Sequence, residues 1–157
     1  MNALITAVTS ATSASTRVPV LADTSGRLLV NNAIAGLPVN LIVLASGSRT
    51  TTQTQADQTN VNYKGIHLIV DMTVVGTGSI TPALQGKDAN GVYYPIWTAA
   101  AAITTNITSK YALYPGATGV GAQTEAVAIV LPLTWRIVIT ANNGNAATYS
   151  VAACLLP

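Results

Sequence analysis

The chain has 157 residues, of which 50% are apolar and only 8% charged, with a net charge of +2. Ordinary globular domains carry roughly 25% charged residues, so this surface is either covered by Thr, Ser, Asn and Gln or buried against other subunits. The seven Lys and Arg stand singly along the chain, which leaves no basic stripe for a nucleic-acid backbone. No run approaches the ~18–20 apolar residues of a membrane-spanning helix, and a single cysteine, Cys154, rules out an internal disulfide and a Cys-based zinc site.

The length suits one domain with an appended arm. Residues 1–15, "MNALITAVTSATSAS", are small and polar; without a positive n-region they are not read as a signal peptide. Residues 16–31, "TRVPVLADTSGRLLVN", predict a β-hairpin turning at Asp23-Thr24-Ser25-Gly26, with Pro19 marking an edge strand. Residues 38–45, "PVNLIVLA", predict a further apolar strand. The Thr/Gln/Asn-rich stretch 46–62 then reads as a linker or long loop.

From Tyr63 the alternation tightens. Ile66, Leu68, Val70, Met72 and Val74 fall on one face of a strand, and His67, Ile69, Asp71 and Thr73 on the other. Gly76 to Gly78 turns the chain. "SITPALQGKD" follows as a strand whose Pro82 suggests an edge or bulge, and Asn90-Gly91 suggests a type I′ turn into "VYYPIW". "NITSKYALYPG" closes at Pro115-Gly116. Residues 117–132 admit loop, short helix or strand, and "WTAAAAI" at 97–103 is helix-prone but short. "LTWRIVITA" and "ATYSVAACLL" are strands joined by a hairpin turn at "NNGN", 142–145. Turn signals about every ten residues predict an antiparallel β-sandwich, jelly-roll or immunoglobulin-like, over 63–157. Leu68, Val70, Trp135, Ile137, Tyr149 and Val151 are its predicted inward side chains. Its own aromatics predict that it folds without the residues before it.

The search for chemistry finds little. Asp23 and Asp88 sit in turns, Asp57 in the polar stretch, and Glu125 in the ambiguous region. Asp71 shares a strand face with His67, but at that spacing the two stand ~13 Å apart and form no dyad. His67 is therefore read as a half-exposed outer residue rather than a catalytic base. Arg136, beside Trp135, is read as pairing with Asp71 across the sheet, against an anion- or sugar-binding alternative. Cys154 is read as a small buried hydrophobe; as a nucleophile it would need to meet the one His. Tyr93, Tyr94, Trp97, Tyr111, Tyr114, Trp135 and Tyr149 are read as core filling rather than a carbohydrate platform, there being no Phe. No catalytic, cofactor-binding or metal-ligating residue is assigned, and no enzymatic activity is expected.

In order, the blocks "ADQTNVNYKGIHLIVDMT", "LQGKDANGVYYPIW", "YALYPG", "VLPLTWRIVIT" and "YSVAACLL" resemble a family of small virion structural proteins of tailed bacteriophages. The resemblance spans about residues 49–157. It departs from the family pattern at Leu133, where relatives carry a basic residue before the Thr-Trp pair. The resemblance implies a structural part of the particle, most simply a capsid decoration or cement protein on the capsid surface, with tail or neck component as the alternative. A carbohydrate-binding β-sandwich module is a further alternative. The implied partners are the major capsid protein and copies of the chain itself, a trimer among them, with no nucleic acid and no membrane. The expected organisation is an extended N-terminal β arm at 1–45 that carries association, a polar linker at 46–62, and the sandwich at 63–157.

Overall fold

The computed structural model describes residues 21–22, 28–29, 38–119 and 124–157. The chain divides into two compact units, Met1–Ala33 and Ile34–Pro157. In the first, β1 (Leu21–Ala22) pairs antiparallel with β2 (Leu28–Leu29). That pairing brackets the predicted turn at 23–26, which lies outside the described residues, as do residues 1–20.

The second unit is all-β. Its strands are β3 (Val39–Arg49), β4 (Gln53–Thr54), β5 (Gln58–Thr59), β6 (Gly65–Val74), β7 (Ile80–Lys87), β8 (Tyr93–Thr98), β9 (Ile107–Leu113), β10 (Glu125–Val127), β11 (Thr134–Ala141) and β12 (Ala147–Leu156). One sheet has the order β10-β9-β6-β12-β3; the other runs β4-β11-β7-β8, with β5 also on β11. All pairs are antiparallel except β10 with β9. The described residues contain no helix, so "WTAAAAI" does not form one. Its alanines follow the end of β8, where Ala99 donates to the Pro82 carbonyl instead.

The inward faces of both sheets meet in one cluster. Ile66, Leu68, Val70 and Met72 of β6 and Tyr149, Val151 and Ala153 of β12 come from the first sheet; Leu84, Trp97, Trp135, Ile137 and Ile139 come from the second. The six predicted inward side chains are all buried, because alternation along a strand sends every second residue to the same side. Val74 is the exception to its predicted face. It lies past the last core layer and is exposed.

Two turn assignments and one strand assignment change. Asn90 has no positive φ, whereas Gly91 does (84°), so the β7–β8 turn is not type I′. Gly91 N–H donates to Asp88 O (3.1 Å) and Asp88 N–H to Val92 O (2.9 Å), and the Asp88 carboxylate accepts from Asn90 and Val92 N–H. This is a type I turn closed by a glycine bulge. Pro82 sits in β7, an interior strand rather than an edge. Its own carbonyl accepts from Ala99, so its missing N–H faces the place where β8 has ended. "NNGN" does not close a hairpin, because β11 and β12 lie in different sheets. The Pro115-Gly116 turn fits type II geometry, with Gly116 at φ 80° and Ala117 N–H donating to Tyr114 O at 3.0 Å.

The expected divisions at 45/46 and 62/63 do not survive. β3 runs through the first of them, pairing with β12 from Val39↔Leu155 to Arg49↔Ala147. β4 and β5, inside the expected linker, pair with β11. Thr and Gln are adequate strand residues when a neighbouring strand supplies hydrogen bonds, which composition cannot reveal. Arg49 secures the β3 bulge by donating to the carbonyls of Gly47 (2.9 Å) and Tyr149 (2.7 Å).

Two glycines give a contrasting prediction. A Cβ on Gly65 would lie 2.3 Å from Tyr114 Cβ and 2.5 Å from Leu113 O, whereas on Gly86 it would meet the far end of the Tyr94 ring at 2.6 Å. Tyr94 is 42% exposed and can swing away. Gly65→Ala should therefore destabilise by about 1–3 kcal/mol, as overpacking against backbone does, and Gly86→Ala by clearly less. Urea unfolding of the two variants measures the difference.

Candidate functional site

The outward face of the second sheet carries a polar cluster. Tyr93 on β8 stands opposite Lys87 on β7, and Arg136 on β11 opposite Gln85. The Arg136 guanidinium lies 3.3 Å from the Tyr93 ring centre and its Nε donates to Gln85 Oε1 at 2.9 Å, a stacked cation–π arrangement. Asp57, just before β5, accepts from Lys87 Nζ (2.8 Å) and from the Tyr93 hydroxyl (2.7 Å). These two bonds, Lys87 first, hold the Asp57 carboxyl below its ordinary range, while Asp57 raises Lys87. The cluster straps the 55–57 segment onto the sheet.

The sign of its pH dependence follows from those shifts. Asp57 contributes stability above the ordinary carboxylate range, and that contribution is lost as pH falls through its depressed value. Lys87 contributes below the ordinary lysine range, and loses its share as pH rises through its raised value. Both groups are exposed, so the effect is small. In a pH series of thermal unfolding, Asp57→Asn should flatten the acid limb slightly while leaving the plateau near neutrality little changed.

The residues singled out from sequence are spread over separate surfaces. His67 and Asp71 lie on the outward face of β6 with Ile69 between them, as alternation required. Asp71 accepts from the Thr108 hydroxyl at 2.7 Å. It does not pair with Arg136, because β6 and β11 belong to different sheets and Arg136 is taken up by Gln85 and Tyr93. His67 packs its ring 5.5 Å from Tyr114, with Nε2 buried and unpartnered. Cys154 is half-buried rather than buried, and it is the cross-strand partner of His67. The thiol's hydrogen bond goes to Leu155 O at 3.9 Å, not to the imidazole. Glu125 ties the two sheets: its Oε1 accepts from Trp97 Nε1 at 2.9 Å and its Oε2 from Ala100 N–H at 3.1 Å. Among the described residues, no three His, Cys, Asp or Glu side chains gather as a metal site.

A third feature is apolar. Val61, Val130 and Leu133 are 64%, 70% and 70% exposed. They stand on two segments laced together by backbone bonds, Asn60 N–H to Leu133 O (2.6 Å) and Leu131 N–H to Lys64 O (3.0 Å). The Asn60 side chain adds bonds to Tyr63 O (2.8 Å) and Leu131 O (3.0 Å), and accepts from Tyr63 N–H (2.8 Å). Asn62, between Val61 and Tyr63, holds φ at 89°. Asn tolerates this left-handed conformation better than other non-glycine residues, and the Asn60 bonds on either side brace the corner. Sequence reading missed both this corner and the Asp57 cluster, whose partners lie 30 or more residues apart.

No protein-family model and no curated protein matches this sequence.

Proposed function

We propose that this is a structural, non-enzymatic protein of a tailed-bacteriophage virion, a capsid decoration or cement protein that binds the major capsid protein and copies of itself on the capsid surface. In this reading the two sheets form an antiparallel sandwich of jelly-roll or immunoglobulin-like kind. The observation that carries the proposal is the braced corner of Val61, Val130 and Leu133. Exposed large aliphatics on hydrogen-bonded segments fit a surface that meets another protein, and with only 8% of its residues charged the chain has few charges to oppose such a contact. The sequence blocks that resemble virion proteins support the same class.

A carbohydrate-binding module needs aromatic rings gathered on one open face. Trp97, Trp135, Tyr111 and Tyr149 are buried, and the neighbours Tyr93 and Tyr94 point to opposite sides of β8. A tail or neck position is distinguished from decoration by copy number. The test is quantitative mass spectrometry of purified particles of the phage encoding this chain. Copies comparable to the shell protein support decoration, a handful per particle place it in the tail or neck, and absence from the particle overturns the proposal. The double variant Val130→Ser, Leu133→Ser should retain its unfolding midpoint and lose most of its particle occupancy.

A further inference from the structure

The outward face of the first sheet is nearly uncharged. Register places Ser150, Asp71 and Thr108 in one row across β12, β6 and β9; Ile42, Ala152, Ile69 and Lys110 in the next across β3, β12, β6 and β9; and Asn40, Cys154, His67 and Ala112 in a third. The middle of this face is the exposed Ala152 with the half-buried Ile69 and Cys154, Ala112 beside them being buried, and Ile42 at its rim is 82% exposed. Short side chains there permit the ~10 Å approach at which sheets pack face to face. Within β3, β6, β9 and β12 the outward positions carry one acid, Asp71, and one base, Lys110. They sit on adjacent strands two positions out of register, a diagonal pair.

We infer that this face is a homodimer interface, in which a second copy of the chain packs its own first sheet against it across a two-fold axis. The charges select that occupant. A two-fold lying in the plane of the face between Asp71 and Lys110 sets each Asp71 against the Lys110 of the other copy. A self-pairing surface with one charge of each sign is complementary to itself, whereas a surface of one sign would repel its copy. The area fits a modest dimer. Four strands at ~4.8 Å spacing and about seven residues of length give roughly 450 Å² of face per copy, about 900 Å² in all, the size of a weak, transient interface. The expected dimer is therefore reversible and of micromolar strength. This names a surface for the self-association included in the virion reading, but it is a property of the isolated chain and is measured without particles.

The experiment is sedimentation velocity of the full chain over a concentration series, on the wild type and on Lys110→Asp, Asp71→Lys and the double swap. The wild type should pass from monomer to dimer with rising concentration. Each single reversal places two like-charge contacts in the dimer and should weaken it by roughly tenfold or more; the double swap restores the opposite-sign pairs and should recover most of the affinity. Circular dichroism confirms that the variants fold, and Lys110→Ala, which leaves Asp71 in place, serves where a reversal does not. In a parallel readout, alkylation of Cys154 by N-ethylmaleimide should slow as the wild type is concentrated. A wild type that stays monomeric at about 100 times micromolar concentration, a dimer indifferent to both single reversals, or a double swap no better than the singles would each overturn the interface. A particle copy number matching the shell alongside a monomeric chain would overturn this face while leaving the decoration reading standing.

Discussion

Ile137→Asp is expected to abolish cooperative folding. Ile137 is buried in β11, flanked across the sheet by Leu84 of β7, and belongs to the cluster shared by both sheets. The substitution removes an aliphatic side chain worth about 1.5–3 kcal/mol of burial. It also puts a carboxylate among Trp135, Ile139, Leu84 and their neighbours, where no basic side chain of the core can pair with it. An unpaired buried charge costs several kcal/mol more, or stays protonated at a similar cost. The total rivals the whole stability of a domain this size, about 5–15 kcal/mol. Ile137→Val keeps the site apolar and should cost about 0.5–1.5 kcal/mol. Far-ultraviolet circular dichroism with urea titration separates the two: a cooperative transition for Ile137→Asp within about 1 kcal/mol of wild type would remove Ile137 from the core. Trp135, fully buried with Nε1 lacking a partner, offers a companion measurement. Trp135→Ala should cost about 3–5 kcal/mol, and Trp135→Phe far less, because it removes an unsatisfied donor along with part of the ring.

A chain beginning at Gln58 should fail to fold, whereas one beginning at Ile34 should unfold cooperatively. The sequence suggests the opposite for the first, since 63–157 has its own alternating strands and aromatics. The structure gives the reason for the reversal. Starting at Gln58 deletes β3 and β4. The loss of β3 strips one whole edge from β12 and removes Val39, Leu41, Val43 and Leu44 from contact with the core. At roughly 1 kcal/mol for each half-buried aliphatic, that is about 4 kcal/mol, before the Arg49 bonds and the lost ladder are considered. β12 also becomes a bare apolar edge, an invitation to aggregate. Beginning at Ile34 cuts at the boundary between the two compact units and leaves every paired strand of the second intact. Solubility, circular dichroism and thermal unfolding of the two truncated chains decide it. A soluble, cooperatively folding chain from Gln58 would mean that β3 is an accessory strand.

Reading from sequence succeeded where the signal is local. The 66–72 alternation placed β6 and its buried face because every second side chain must share an environment. The same logic put Trp135 and Ile137, and Tyr149 and Val151, into the core. The strand over 38–45 was legible from "LIVLA". Its continuation to Arg49 was not, because Ser46, Gly47 and Ser48 carry no strand signal and are held by β12 alone. Likewise Gln53, Thr54, Gln58 and Thr59 look like linker until β11 lies beside them.

The candidate surfaces were less legible than the fold. His67 and Asp71 fell on the predicted outward face, yet nothing local shows that Cys154 lies opposite His67, or that Asp57 joins Lys87 and Tyr93 beneath Arg136. The expected Asp71–Arg136 pair failed for the same reason: alternation says which face a side chain takes within its sheet, not which sheet the strand joins.

The sequence by itself determined the strand-forming segments, the apolar face of each, and the scarcity of charge, since these depend on the period of a single strand and on composition. Only the tertiary structure decided which strand entered which sheet, that β11 and β12 part company at "NNGN", and that a polar stretch belongs to the body. Strand pairing joins residues far apart in the chain through backbone groups that every residue shares, so its outcome rests on the packing of the whole and leaves no mark on any one segment.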